Sequence, residues 1–214
     1  MDMLRGMALD VSLRLACLSF GREALPERRH RATIQIGVSL TIQIPGLAMF
    51  KYQCGSCDKW HEGPPCLAFV VPDIVQTIPS ADVARRVTGD ENICVVDGTH
   101  FFIRASLRMP IIGEEGEFDW SLWVSVSEAS FMDYYDTYEA GGAHGPYFSW
   151  LGNQLPAYPT SEGLRCQTLP QEGNERPIVE VERSDHPISR HVHEGMPREL
   201  AIAIFTRLSH PTSH

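Results

Sequence analysis

The chain has 214 residues, of which 43% are hydrophobic and 21% are charged, and its formal net charge is −9. This composition excludes collagen-like, coiled-coil and fully disordered proteins. A chain of this length buries enough apolar surface to fold without help from disulfides. We therefore expect one globular domain, with or without an appendage.

The charge is unevenly distributed along the chain. Residues 1–48 contain six arginines and four acidic residues, whereas residues 49–214 contain twelve basic and twenty-three acidic residues. An acidic surface repels phosphate backbones and anionic lipids, so we expect no nucleic-acid partner and no membrane association. The same acidity favours a basic protein partner. No stretch approaches the roughly 18 uninterrupted apolar residues of a membrane span.

The change in charge near residue 48 suggests a boundary. We interpret residues 1–48 as an N-terminal extension that is disordered, comes from an upstream start codon, or adds a strand through the alternating isoleucines of residues 33–44. Residues 49–214 would then form a single domain. The six cysteines are spread over a long chain with no evident secretion signal, which is typical of reduced thiols in the cytoplasm.

The clearest structural signal is a β-hairpin at about residues 100–127. The segment contains two runs of residues, separated by the turn-like residues 113–116. In each run, apolar residues alternate with mostly polar ones. Centring the turn on those four residues predicts that Leu107 lies opposite Leu122. Trp120 falls on the apolar face and is expected to be buried.

Helix signals follow the hairpin. Ser127 is a suitable N-cap for a helix from residue 128 to about 139, and residues 195–197 (Gly-Met-Pro) indicate the start of a final helix. Short strand-like runs lie between them at residues 164–169 and 177–182. Strands in the middle of the chain, helices after them and no β-α-β alternation predict an α+β fold. We expect an antiparallel sheet with the hairpin at its centre, packed by two or more helices.

The strongest chemical motif is a small Cys/His turn at residues 54–66. The candidate metal ligands are Cys54, Cys57, His61, Cys66 and Cys94. A C-x2-C pair presents two thiolates from one turn, and such donors suit zinc. The C-x2-C-x3-H-x4-C spacing resembles a zinc knuckle that is one residue short. We predict zinc bound by the first three donors, with Cys66, Cys94 or water in the fourth position; ordinary reduced thiols are the alternative.

Three functions are compatible with this motif. The first is a zinc-stabilised binding or regulatory module, and the second is a metal-dependent hydrolase with an open zinc site. The third is a thiol redox protein that uses Cys54 and Cys57, although residues 63–65 (Gly-Pro-Pro) leave no room for the helix that usually follows such a pair. The P-loop, H-E-x-x-H and G-x-S-x-G motifs are absent from the sequence, which leaves open whether the protein is an enzyme.

A second polar segment lies near the C-terminus. Asp185 and His186 could complete an open zinc site in the hydrolase interpretation. Further on, His191 and His193 would face the same way on a strand and could share a metal ion. The simpler interpretation is a solvated polar segment.

A third candidate site lies on the polar face of the predicted hairpin. Arg104, Arg108 and Trp123 are expected on this face. Two guanidinium groups beside an aromatic ring could hold an anion or the carboxylate of a partner protein. A solvated or helix-covered sheet face is the simpler interpretation.

Several segments together resemble a bacterial family catalogued as domain of unknown function 2199. The matching segments are Cys54/Cys57/His61, Asn92-Ile-Cys94-Val, His100-Phe-Phe-Ile-Arg104, residues 118–127, Tyr147-Phe-Ser-Trp150-Leu, Leu155-Pro-Ala-Tyr-Pro159, Arg176-Pro-Ile and Asp185-His186-Pro187. The resemblance implies a single domain over about residues 49–209 but no activity. Because Cys66 and the His191/His193 pair are not part of the family pattern, it implies a metal site of Cys54, Cys57 and His61, with Cys94 as a candidate fourth ligand.

Overall fold

The computed structural model describes Leu13–Arg14 and residues 50–54, 57–63, 65–139 and 144–209. The predicted extension, including the alternating isoleucines of residues 33–44, therefore lies outside the described residues apart from Leu13–Arg14. The strands are β1 (Leu13–Arg14), β2 (Lys51–Gln53), β3 (Trp60–Glu62), β4 (Cys66–Phe69), β5 (Val87–Gly89), β6 (Ile93–Val96), β7 (His100–Pro110), β8 (Glu117–Val126), β9 (Tyr147–Leu151), β10 (Arg165–Leu169) and β11 (Ile178–Val181). The helices are α1 (Asp73–Gln76), α2 (Ser80–Arg86), α3 (Glu128–Glu139), α4 (Pro187–Glu194) and α5 (Arg198–Ser209).

Five strands close into a barrel. Their order around the ring is β7-β8-β9-β10-β11, and β11 returns to pair with β7. The closing pair is parallel, with Ile178 opposite Ser106, and β4 also pairs with β8 in parallel. The α+β class is therefore confirmed, but the expected simple antiparallel sheet is wrong. The sheet is mixed because the β11–β7 and β4–β8 pairs are parallel. It is closed because β11 pairs with β7, a strand distant in sequence.

Alternation along the ring strands fills the barrel interior. Successive side chains of a strand point to opposite faces, so every second residue enters the barrel. Leu107, Leu122 and Val124 are fully buried there, together with Ser149 and Val179. This interior forms the centre of the hydrophobic core.

The predicted hairpin is present, with a register that differs by two residues. Leu107 lies opposite Trp120, and not opposite Leu122 as expected. The turn is centred one residue earlier than predicted, since the Ile111 amide donates to the Gly116 carbonyl at 3.1 Å and Gly113 adopts a φ of +82°. A shift of two residues keeps every side chain on its predicted face, because the side-chain period of a strand is two.

The two predicted helices are present, and a segment that was expected as a strand is also helical. Helix α3 begins after Ser127, whose Oγ accepts from the Ser130 amide at 3.1 Å, and α5 follows Pro197. The strand assumed for His191 and His193 is wrong. Pro187 occupies the first turn of α4, where its fixed φ favours a helix and its missing N–H costs nothing. Among the described residues, no helix combines the length and apolar character needed to cross a bilayer.

Candidate metal centre

The Cys/His cluster lies on a small hairpin outside the barrel. Strands β2 and β3 pair antiparallel, with Tyr52 opposite His61. The turn between them is closed by two backbone hydrogen bonds of 2.9 Å, from the Cys54 amide to the Lys59 carbonyl and from the Asp58 amide to the Cys54 carbonyl. Asp58 adopts a φ of +55°, a left-handed conformation that aspartate tolerates better than most residues. This turn brings both cysteines to the same side as the imidazole.

The distances between the donor atoms suit a metal ion. The Sγ atoms of Cys54 and Cys57 and a ring nitrogen of His61 all lie within 4.8 Å of one another. Cys57 Sγ is 3.4 Å from His61 Nε2. Zinc–sulfur and zinc–nitrogen bonds of about 2.3 and 2.0 Å at a tetrahedral angle would separate these two atoms by about 3.5 Å. Without a metal ion, the same contact is a thiol–imidazole hydrogen bond.

Helix α5 forms one wall of the cluster. Cys54 is fully buried, and its Sγ lies 3.9 Å from Thr206 Oγ1 of this helix. The His61 ring stacks on Tyr52 at 5.3 Å between centroids, and Phe205 of α5 meets the edges of both rings at 6.2 Å. Burial, with a smaller contribution from the two cysteines, raises the pKa of Tyr52 to about 12. The cluster is thus enclosed by aromatic rings on one side and open to solvent at Cys57 and His61, which are half-buried.

The two other candidate ligands lie elsewhere. Cys66 belongs to β4, where it is paired with Asp119 of β8, and Cys94 belongs to β6, paired with Phe102 of β7. Burial raises the pKa of Cys94 to about 11, so this thiol stays protonated at neutral pH. Among the described residues, the cluster of possible ligands contains Cys54, Cys57 and His61 and neither of these cysteines.

The C-terminal polar residues are not brought to the cluster. His186 caps α4, since its Nδ1 accepts from the Ile188 amide at 3.2 Å, and Asp185 is exposed. His191 Nδ1 lies 2.9 Å from the Tyr158 hydroxyl, while His193 Nε2 donates to the Val181 carbonyl at 2.9 Å. Residues two apart on a helix point in different directions, so these two imidazoles do not share a site.

The predicted anion site lies on the outer face of β7 and β8. Arg104 is 5.7 Å from the Trp123 ring, and both side chains donate to the Phe69 carbonyl, at 3.1 and 3.3 Å. Trp123 is buried at 1% exposure, whereas Arg108 is exposed. The structure therefore brings Arg104 and Trp123 together and leaves Arg108 at the solvent edge.

Sequence reasoning missed the residues that surround these groups. Thr206 and Phe205 approach the Cys/His cluster from α5, about 150 residues away, and no local pattern indicates that contact. Tyr52 could have been found, because it precedes Cys54 by two residues and so shares a strand face with it. Arg176 was noted only as part of a family segment, and it joins Arg104 at Ser121.

The fold and the site define a small α+β barrel protein with a three-donor Cys/His cluster on an outer hairpin. The family model described as "Uncharacterized protein conserved in bacteria (DUF2199)" matches residues 53–196. The chain belongs to this family, and the match includes all three donors of the cluster. Comparison with curated proteins and with solved structures finds no match.

Proposed function

We propose that the protein is a zinc-stabilised binding module in which Cys54, Cys57 and His61 hold the ion. The observation that carries this proposal is the convergence of three zinc-type donor atoms within 4.8 Å. Two thiolates and one imidazole are a donor set typical of zinc and unlike the oxygen-rich sets of magnesium or calcium.

The ion would stabilise an element that is weak by itself. Strands β2 and β3 have three residues each, and a short isolated hairpin is marginally stable in water. Zinc binding adds its own free energy to folding, because the unfolded chain offers no preformed site. The ion would therefore hold the turn in the conformation that packs Tyr52 and His61 against α5.

The exposed face of this hairpin is the proposed partner surface. Trp60 is 62% exposed, and the Lys51 ammonium lies 5.6 Å from its ring. A solvent-exposed tryptophan on a rigid element is a common anchor at protein interfaces. The chain's net charge of −9 favours a basic partner.

Metal content tests the proposal directly. We expect protein purified under reducing conditions without added metal to carry about one zinc per chain, measured by elemental analysis. Cys54→Ser should lose the metal and lower the thermal unfolding midpoint. Cys66→Ser is the matched control, since Cys66 is also a cysteine near the same turn but lies outside the cluster, and it should keep the metal. A folded wild-type protein without stoichiometric metal, or equal metal loss in both variants, would contradict the proposal.

An open zinc site is the second candidate. It is favoured by one observation, that three donors and not four converge among the described residues. A structural site is closed by four protein ligands, whereas a catalytic site keeps one position for water. Cobalt substitution distinguishes the two: an open site should change its visible spectrum when azide is added, and a closed site should not. In the open case His61→Ala should abolish any hydrolytic activity with little unfolding.

A further inference from the structure

A second cluster of charged side chains lies on the outer face of the barrel, away from the proposed zinc site. Its centre is the pair of serines Ser106 and Ser121, which face each other across β7 and β8. Arg104 and Arg176 approach this pair, and Asp119 lies two residues before Ser121 on β8. All of these side chains are at least half-buried.

Two guanidinium groups donate to one hydroxyl. Arg104 Nε lies 3.1 Å and Arg176 Nη1 2.9 Å from Ser121 Oγ. Holding two like charges so close costs free energy, and burial together with Arg176 lowers the pKa of Arg104. Among the described residues, no ion pair within 4.0 Å links either arginine to a carboxylate. In a chain with net charge −9, the described residues thus hold two arginines on one hydroxyl with no direct ion pair to either.

The two arginines differ in how fully their donors are used. Arg104 also donates to the Glu91 and Phe69 carbonyls, at 3.2 and 3.1 Å, so it holds the loops around β4 and β6 in place. For Arg176, the one side-chain hydrogen bond found in the described part of the chain is that to Ser121. Its Nε is buried and has no partner there. A buried donor on a charged group without an acceptor is costly, which indicates a missing acceptor.

The one carboxylate of the cluster does not fill this role. Asp119 Oδ2 accepts from Ser106 Oγ at 3.2 Å, and its Oδ1 is buried with no partner among the described residues. Burial raises the pKa of Asp119, an effect that Arg108 and Arg176 only partly oppose. The cluster thus contains a buried cationic donor, Arg176 Nε, for which Asp119 does not serve as the acceptor.

We propose that Arg176, Arg104 and Ser121 form a binding site for a small oxyanion, the phosphate or carboxylate group of a small molecule. The anion would accept from Arg176 and offset the repulsion between the two guanidinium groups. Arginine suits such ligands because its planar fork matches the oxygens of phosphate and carboxylate. The site would be independent of the zinc ion.

Titration calorimetry at constant ionic strength tests this site, with inorganic phosphate in one series and acetate in another. We expect saturable binding of at least one of them. Arg176→Gln should weaken it by about tenfold or more, because a charge-assisted hydrogen bond is lost. Arg165→Gln is the matched control, since Arg165 is an exposed arginine on β10 that already pairs with Glu182 at 3.2 Å. Arg104 is left unchanged in this test, because its loss would also release two backbone carbonyls.

The outcomes separate a built site from simple surface charge. Binding that Arg176→Gln removes and Arg165→Gln keeps supports the proposal, and the stronger probe identifies phosphate or carboxylate. Asp119→Asn should then bind the anion more tightly, since it removes a nearby negative charge. The absence of saturable binding, or equal weakening in both arginine variants, would overturn it and leave ordered water as the bridge between the buried atoms.

Discussion

At the scale of single residues, Trp120 is one of the largest fully buried side chains of the core. It is fully buried, and its ring lies 6.0 Å from that of Phe69 and 5.1 Å from that of Phe118. Trp120→Ala should lower the free energy of unfolding by about 3–5 kcal/mol, as large aromatic truncations in cores do. Urea denaturation followed by circular dichroism measures the loss.

Trp120→Phe is the matched control for this prediction. The indole Nε1 is buried and has no hydrogen-bond partner among the described residues, so phenylalanine gives up no hydrogen bond that the structure makes. We expect a loss of less than about 1.5 kcal/mol, similar to other conservative core replacements. Equal losses in the two variants would mean that the packing around the ring is not what stabilises the core.

Spacing in the sequence predicted the three donors of the Cys/His cluster but not which of the other candidate ligands lie outside it. Cys54, Cys57 and His61 could be grouped from their spacing, because a tight turn brings neighbours in sequence together. That Cys66 is not among the donors that converge in this group could not be predicted. Cys66 is only five residues after His61, but it pairs with Asp119 of β8, and that pairing depends on the whole sheet.

At the scale of elements, His186 determines how α4 begins. Its Nδ1 accepts from the Ile188 amide at 3.2 Å, which satisfies one of the first free N–H groups of the helix. His186→Ala should lower the free energy of unfolding by about 0.5–2 kcal/mol, and His186→Ser should restore most of it. Neither variant should change the metal content. Metal loss in His186→Ala would instead support a role for His186 in an open zinc site.

The hairpin of β7 and β8 shows that the local sequence predicted the buried face of each strand but not the register between the strands. Apolar alternation assigned Leu107 and Trp120 to the buried face, and both are fully buried. The register was wrong by two residues, because the turn forms around Gly113 and not at the centre of residues 113–116. Face assignment depends on a repeat over many residues, whereas register depends on the conformation of one turn.

At the scale of the whole molecule, the question is whether residues 49–214 fold alone. Of the extension, the described pair Leu13–Arg14 adds a two-residue strand beside Phe69 and Ala68 of β4. We expect a chain starting at Met49 to fold, with an unfolding midpoint lowered by about 2–4 °C, the shift that about 1 kcal/mol produces in a domain of this size. Thermal denaturation of the two chains side by side measures it. A truncated chain that lacks a cooperative transition would show that the extension is part of the domain.

What the sequence by itself determined about this protein is local or periodic. The α+β class, the hairpin, α3 and the spacing of three zinc-type donors all follow from repeats of two or 3.6 residues and from capping or turn chemistry. The family, too, could be recognised from short segments in order.

Only the tertiary structure decided how these pieces meet. Closure of the barrel requires Ile178 to pair with Ser106, 72 residues earlier, and no local pattern specifies such a contact. The same closure brings Arg176 to Ser121 and so creates the proposed oxyanion site. Likewise, α5 reaches the Cys/His cluster from the far end of the chain. Pairing between distant strands depends on the total burial of the folded chain, and that total is not encoded in any one segment.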